Sequence, residues 1–276
     1  MPCAVEHETE GRRTVVKALV FSDLHIGHAG DIDPAEHWWV RDAIRSHSPN
    51  VVVYAGDVGD FWRIGLDRRG DLICAVREVM AWAPVSVYVL GNHDHFVSTL
   101  DTSAWGCQVV EEFVLEAGPR RWFVAHGDEA DFLIWGRGLG LTKDHVEQLY
   151  VWVCDHPEVA AGWDAGEVGG TVAIVLRAAV EMGLLGGWRP DVLDLLMCVA
   201  TSPWDFQPSV RDVRRRIARF CRPRERNLIF GHYHHPRHEV WREFLGGQRE
   251  AADCGSYTQR SYVVATEEGL RLVRSV

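Results

Sequence analysis

Lysine is almost missing from this chain: of 29 basic residues only Lys17 and Lys143 are lysine, and the rest are arginine. Cysteine is sparse and unpatterned. Cys3, Cys74, Cys107, Cys154, Cys198, Cys221 and Cys254 are odd in number and contain no CxxC pair. That excludes a disulfide framework or a structural zinc knuckle, and sets a reduced, cytoplasmic compartment as the expectation. Long apolar runs are absent too. Met1–Thr14 is polar and charged, so no secretory leader is expected. The most apolar stretch, 172–188, is broken by Arg177, Glu181 and several glycines, and is too short to span a bilayer. Positive charge is in deficit, with 29 basic against 39 acidic residues and a net charge of −10, which weighs against nucleic-acid binding over the whole surface. Hydrophobic residues at 47% and charged residues at 25% exclude disorder and fibrous structure. A length of 276 residues fits one large domain or one domain with a substantial insert.

What is present, in the first half, is an alternation of short apolar runs with helical stretches. Val16–Phe21, Val51–Tyr54 and Val85–Leu90 read as buried strands, and 34–46 and 71–82 as helices between them. Phe113–Glu116 and Trp122–Ala125 read as strands around a turn at Gly118-Pro119. This pattern predicts an α/β fold with a largely parallel sheet. The texture then changes. Four helices are expected over 144–153, 172–182, 191–199 and 210–220, separated by breaks at 136–140, 162–170, 186–187 and 203–208. Strands return at 227–230 and 239–244, and a closing hairpin pairs 261–266 with 270–274. The expected organisation is therefore one domain over 15–276, with a helical cap inserted at 128–226.

Polar motifs follow five of the apolar runs: Asp23-Leu24-His25, Gly56-Asp57-Val58-Gly59-Asp60, Gly91-Asn92-His93-Asp94, His126-Gly127-Asp128 and Gly231-His232-Tyr233-His234. Open α/β sheets place ligand sites just past the carboxyl ends of their strands. The donors so collected are Asp23, His25, Asp57, Asn92, His126, His232 and His234. Buried together and unpaired they would be costly, whereas metal ions would satisfy them. Seven donors exceed one tetrahedral site and suit two metals sharing a carboxylate. Mixed N/O ligation without thiolate favours Mn, Fe, Co, Ni or Zn over Ca or Mg. Two such ions about 3.5–4 Å apart clamp a phosphate and lower the pKa of a water between them. Taken singly, Asp23 and Asp57 could be helix caps, and His232 and His234 a surface turn; the complete constellation argues for the metal reading.

In order, spacing and content the five motifs resemble the calcineurin-like metallophosphoesterases, over roughly 15–130 and 227–276. The resemblance implies a sandwich of two mixed β-sheets flanked by helices, and a dinuclear phosphoesterase with Mn²⁺ as the expected metal and Fe, Zn, Co or Ni as alternatives. By it, Asp23, His25 and His234 hold the first ion and Asn92, His126 and His232 the second, with Asp57 bridging. His93 contacts the phosphate and protonates the leaving oxygen, and Asp60 orients His93. Finer strings are similar to the UDP-2,3-diacylglucosamine pyrophosphatase branch: Gly56-Asp57 with Asp60-Phe61-Trp62-Arg63, His126-Gly127-Asp128-Glu129-Ala130-Asp131, and Gly255-Ser256 with Val263-Val264. That branch implies a peripheral enzyme at the inner membrane face, with a cap that holds acyl chains. Its best-known members carry arginine where this chain has His93.

Two rival readings stand beside it: a soluble phosphodiesterase or phosphatase acting on nucleotides, and a non-catalytic scaffold, which the filled ligand positions disfavour. Within 209–226 lie eight arginines (211, 214, 215, 216, 219, 222, 224 and 226) against Asp212 and Glu225, a local charge of +6. Val210, Val213, Ile217 and Phe220 recur there at helical spacing. Arg211–Arg226 is either a solvated helix docked by that apolar face, a clamp for an anionic substrate, or a helix on an anionic membrane surface. Most of the twelve tryptophans are expected in the core.

Overall fold

The computed structural model describes residues 17–128, 141–164, 168–184, 213, 215, 227–242 and 248–275. Its strands are β1 (Ala18–Phe21), β2 (Val51–Ala55), β3 (Ser86–Val89), β4 (Gln108–Val110), β5 (Phe113–Ala117), β6 (Arg120–Val124), β7 (Asn227–Phe230), β8 (Arg237–Arg242), β9 (Gln248–Asp253), β10 (Ser261–Thr266) and β11 (Gly269–Arg274). They form two mixed sheets. One has the order β11-β10-β1-β2-β3-β4, with β1 to β4 parallel and the β10–β11 hairpin added antiparallel, Val20 opposite Val263. The other has the order β5-β6-β7-β9-β8, with β6, β7 and β9 parallel and an antiparallel strand at each edge.

Alternation along the strands explains why the sheets stack. In β1 to β3, Val20, Val53, Val87 and Val89 point one way and meet Trp122, Val124, Ile229 and Ala252 of the second sheet. Phe21, Tyr54 and Tyr88 point the other way, onto Trp39, Val40 and Ile44 of helix α1 (Trp38–His47) and Leu72, Val76 and Met80 of helix α2 (Arg69–Met80). Covered on both faces, these strands are apolar throughout. Asp33 starts the 3₁₀ turn that leads into α1 by accepting the Ala35 N–H at 2.8 Å, with Pro34 supplying the preset φ.

Between β6 and β7 the chain forms α3 (Lys143–Cys154), α4 (Pro157–Asp164) and α5 (Val168–Glu181). Thr142 and His145 close a capping box at the start of α3. No helix among the described residues is long and apolar enough to cross a membrane.

Three elements depart from the sequence expectation. β4 is only three residues long, too short to show a period. β9 points a buried glutamate, Glu250, inward, so hydropathy carries no strand signal there. The break expected at 162–170 is narrower, because α4 runs through Gly162 to Asp164 and α5 begins at Val168. The helix expected at 191–199, the breaks at 136–140, 186–187 and 203–208, and all of 210–226 except Val213 and Arg215 lie outside the described residues. Within the last segment Val213 is buried, 1% exposed, beside Phe123, Leu228 and Phe230 on the outer face of the second sheet, while Arg215 is exposed.

Candidate active site

All five polar motifs lie just beyond the carboxyl ends of β1, β2, β3, β6 and β7. Asp23, His25, Asp57, His232 and His234 all have left-handed backbone, with φ between 48° and 69°. Non-glycine residues rarely adopt this conformation, and it concentrates at functional sites. The loops hold one another in it. Asp23 N–H donates to Gly56 O at 3.0 Å, His25 N–H to Asp57 O at 2.9 Å, and Gly231 N–H to His126 O at 2.8 Å. Two glycines are required by close approach. A Cβ at Gly91 would lie 2.3 Å from Asp57 Oδ1, and one at Gly231 would lie 2.2 Å from Asp23 Oδ2.

The seven donors form two groups. In the first, ligand atoms of Asp23, His25 and His234 lie within 4.8 Å of one another. His25 Nε2 is 3.3 Å from His234 Nε2, and His234 Nε2 is 3.1 Å from Asp23 Oδ1. In the second, Asp57, His126 and His232 satisfy the same distance, and Asn92 Oδ1 stands 3.2 Å from His126 Nε2 and 3.1 Å from His232 Nδ1. Asp57 Oδ2 is 3.8 Å from His25 Nε2 and 3.2 Å from His126 Nε2, within reach of both groups. His126 Nδ1 donates to Ala55 O at 2.8 Å, which orients the ring and turns Nε2 toward Asp57 and Asn92.

Charge balance shows what such a cluster accepts. Asp23 and Asp57 are buried, and their ion-pair partners among the described residues are histidines only. Burial would raise both carboxyls. The His234 hydrogen bond with the charges of His126 and His234 outweighs it at Asp23, and the charges of His126 and His93 outweigh it at Asp57, so both lie below the usual range. Burial pushes His25 down, while at His126 the Asp57 carboxylate more than offsets burial and pushes the group up. Two buried carboxylates facing four imidazoles and an amide oxygen, with no thiolate in the set, fit a pair of divalent cations.

His93 stands beside this cluster. Its Nδ1 is 2.9 Å from Asp60 Oδ1 and its Nε2 is 3.9 Å from Asp57 Oδ2. The carboxylates of Asp57 and Asp60 overcome burial and raise its pKa. Asp60, fully buried, also binds Arg63 Nη1 at 2.7 Å and His28 Nδ1 at 3.0 Å through Oδ2. Three residues that the sequence reading placed only within motifs, with no role of their own, act here. Trp62 stacks on His93 with ring centroids 4.0 Å apart. Asp94 accepts the Val58 N–H at 2.8 Å, the Gly91 N–H at 2.6 Å and the Tyr88 hydroxyl at 2.6 Å. Arg63 braces Asp60. Asp94 had one readable signal, a carboxylate two residues past Asn92 in a turn otherwise buried.

A family model for calcineurin-like phosphoesterases matches residues 16–236, well over half of the chain. The chain belongs to the calcineurin-like phosphoesterases. It is thus a metal-dependent phosphoesterase, and its two mixed sheets are the family's sandwich. Comparison with curated proteins gives no match. Among solved structures, an archaeal phosphodiesterase is similar over 94% of this chain and 100% of that one, at 10% identity and a TM-score of 0.41. A dimetal phosphatase from Danio rerio is similar over 95% and 99%, at 13% identity and 0.42. The phosphopantetheinyl hydrolase from Mycobacterium tuberculosis is similar over 94% and 96%, at 17% identity and 0.38.

Proposed function

We propose that this phosphoesterase works with two divalent ions, Mn²⁺ first among the candidates. Asp23, His25 and His234 would hold one, Asn92, His126 and His232 the other, and Asp57 would serve both. The observation that carries this reading is the position of Asp57 Oδ2, 3.8 Å from His25 and 3.2 Å from His126. When bound, such ions supply Lewis-acid stabilisation of the phosphoryl charge and an activated water. The chain's own residues do the rest. Asp60 accepts the Nδ1 hydrogen of His93 and so fixes the ring. His93 Nε2, on the side of Asp57, then delivers a proton to the leaving oxygen. His25 Nδ1 is buried without a hydrogen-bond partner, with Asp60 Oδ2 3.6 Å away, so the same carboxylate steadies His25 electrostatically.

For the substrate we propose a nucleotide-sugar lipid pyrophosphate of the UDP-2,3-diacylglucosamine type, with residues 128–226 as the cap. Support comes from the Asp60-Phe61-Trp62-Arg63 string, whose Asp60 and Trp62 contact His93 and whose Arg63 binds Asp60. Tyr150 of α3, from the insert, stands over that string, 6.0 Å from Trp62. Docking at an anionic inner membrane surface through Arg211–Arg226 belongs to the same proposal; a buried Val213 beside an exposed Arg215 is the arrangement such a helix needs. The test is turnover with and without Mn²⁺ of UDP-2,3-diacylglucosamine against bis(p-nitrophenyl) phosphate. Faster cleavage of the lipid is expected. Cleavage of the aryl diester alone would keep the dimetal chemistry, discard the lipid and leave a soluble nucleotide phosphodiesterase as the reading.

A further inference from the structure

His93 is held in two directions by one short segment, Asp60-Phe61-Trp62-Arg63. In its plane, Asp60 fixes Nδ1 at 2.9 Å. Across its face lies Trp62, with an interplanar angle of 24° and 4.0 Å between centroids. A hydrogen bond to one ring nitrogen leaves the imidazole free to rock about that bond, and a stacked indole blocks the motion. Trp62 is itself backed from the insert. The Tyr150 ring lies 6.0 Å from Trp62 and 6.2 Å from His95. His95 Nε2 in turn faces Glu147 Oε2 of the same helix at 4.0 Å.

Helix α3 is fastened to the core at both ends around these contacts. At its start, Lys143 Nζ lies 2.5 Å from Glu111 Oε2 and 3.1 Å from Glu147 Oε1. At its end, the buried Arg69 guanidinium donates to the Cys154 carbonyl and to Asp155 Oδ1 at 2.9 Å, and stacks over Phe96 at 4.4 Å. A cation at the carboxyl end of a helix satisfies its last carbonyls and matches the helix dipole. Side chains at 143, 147, 150 and 154 fall on one face at helical spacing, and all four contact the core. Helix α3 is therefore fixed against the core, and Tyr150 reaches the active site from a fixed base.

We propose that Trp62, backed by Tyr150 of the insert, is a positioning residue that holds His93 in its proton-donating pose. The insert thereby tunes the chemical step as well as covering the site. This rests on the assignment of His93 as the acid. A misplaced acid lowers kcat rather than raising KM, and does so most where the leaving oxygen needs a proton.

The test compares Mn²⁺-loaded protein on two diesters, methyl p-nitrophenyl phosphate and methyl phenyl phosphate. p-Nitrophenolate departs without a proton, and phenolate departs far more readily with one. The readout is the ratio of the two kcat values, with metal content measured alongside. His93→Gln should raise that ratio. Trp62→Ala should raise it by about tenfold at unchanged metal content, Trp62→Phe should return it toward the wild-type ratio, and Tyr150→Ala should raise it by less. Equal losses on both esters in Trp62→Ala, with the ratio unchanged, would make Trp62 structural only and overturn the proposal. If His93→Gln leaves the ratio unchanged, the acid assignment falls and the proposal with it. If His93→Gln raises the ratio while Trp62→Ala and Tyr150→Ala do not, only the positioning role falls. Should Trp62→Ala fail to fold, Tyr150→Ala, changed at the half-buried α3 face, decides the matter alone.

Discussion

His25 and His234, 209 residues apart, meet Nε2 to Nε2 at 3.3 Å, with Asp23 Oδ1 3.1 Å from the second ring. Two imidazoles aimed at each other beside a carboxylate either share one proton or hold a cation between them. The second arrangement predicts that His234→Ala loses one of two bound ions, measured as metal per chain after gel filtration. Affinity should drop at least as much as the roughly 10–100-fold that follows loss of a ligand's hydrogen-bonding partner. Two ions retained at full affinity would refute the assignment of His234.

Asp57 makes a sharper case, because its Oδ2 faces both groups. Asp57→Asn keeps the shape and removes the charge. Both ions should then bind more weakly, and activity should not be restored by raising Mn²⁺ into the range that saturates the wild type. Loss confined to one ion would place Asp57 in a single group.

His93→Gln is expected to keep metal content and lose on the order of 10²–10⁴-fold in kcat on substrates with poor leaving groups, the usual contribution of a positioned acid. Asp60→Asn should lose less, since Trp62 still stacks on the ring. An undiminished kcat in His93→Gln would leave the leaving oxygen to some other donor.

The strand ends were readable because each donor motif follows an apolar run with no other reason to stop at aspartate or histidine. Asp23, Asp57, Asn92, His126 and His232 could thus be grouped without knowing how the sheets pack. Asp60 came from the family resemblance, as the carboxylate three residues past Asp57. Neither route reaches the stack of Trp62 on His93, which exists only once the loops after β2 and β3 meet, or Tyr150, which comes near only once α3 lies on the 95–99 turn. Asp94 is hidden for a different reason. Two of its three partners are the Val58 and Gly91 backbone N–H groups, and backbone carries no residue-type signal.

Asp94 therefore supports a prediction of its own. Burial and the nearby Asp57 charge push its carboxyl above the usual range, while the donors from Tyr88 and Gly91 pull the other way. In Asp94→Ala three buried donors lose their acceptor, at about 1–3 kcal/mol for each buried group left unsatisfied. The melting temperature should fall, and metal affinity with it, because Val58 and Gly91 flank Asp57 and Asn92. A variant with normal metal affinity and a lowered melting temperature would confine Asp94 to stability.

Glu250 joins the two sheets. Its Oε1 accepts from Arg120 Nη1 at 3.0 Å and Trp122 Nε1 at 3.1 Å in the second sheet, and its Oε2 accepts the Leu270 N–H at 3.2 Å from β11 of the first. Burial raises its pKa, but His238, the Leu270 N–H and the Arg120 charge overcome it and hold the group below its ordinary 4.5. A carboxyl depressed on folding adds stability above its unfolded pKa, and that stability disappears as pH falls through the folded value. Wild type should therefore melt above Glu250→Gln at neutral pH, and the gap should close as the buffer drops below about 4.5. Every other acid-sensitive group is common to both proteins, so the difference between the two melting curves isolates this carboxylate. A gap that stays constant from neutral to acid would mean that the charge of Glu250 contributes nothing and that its shape alone joins the sheets.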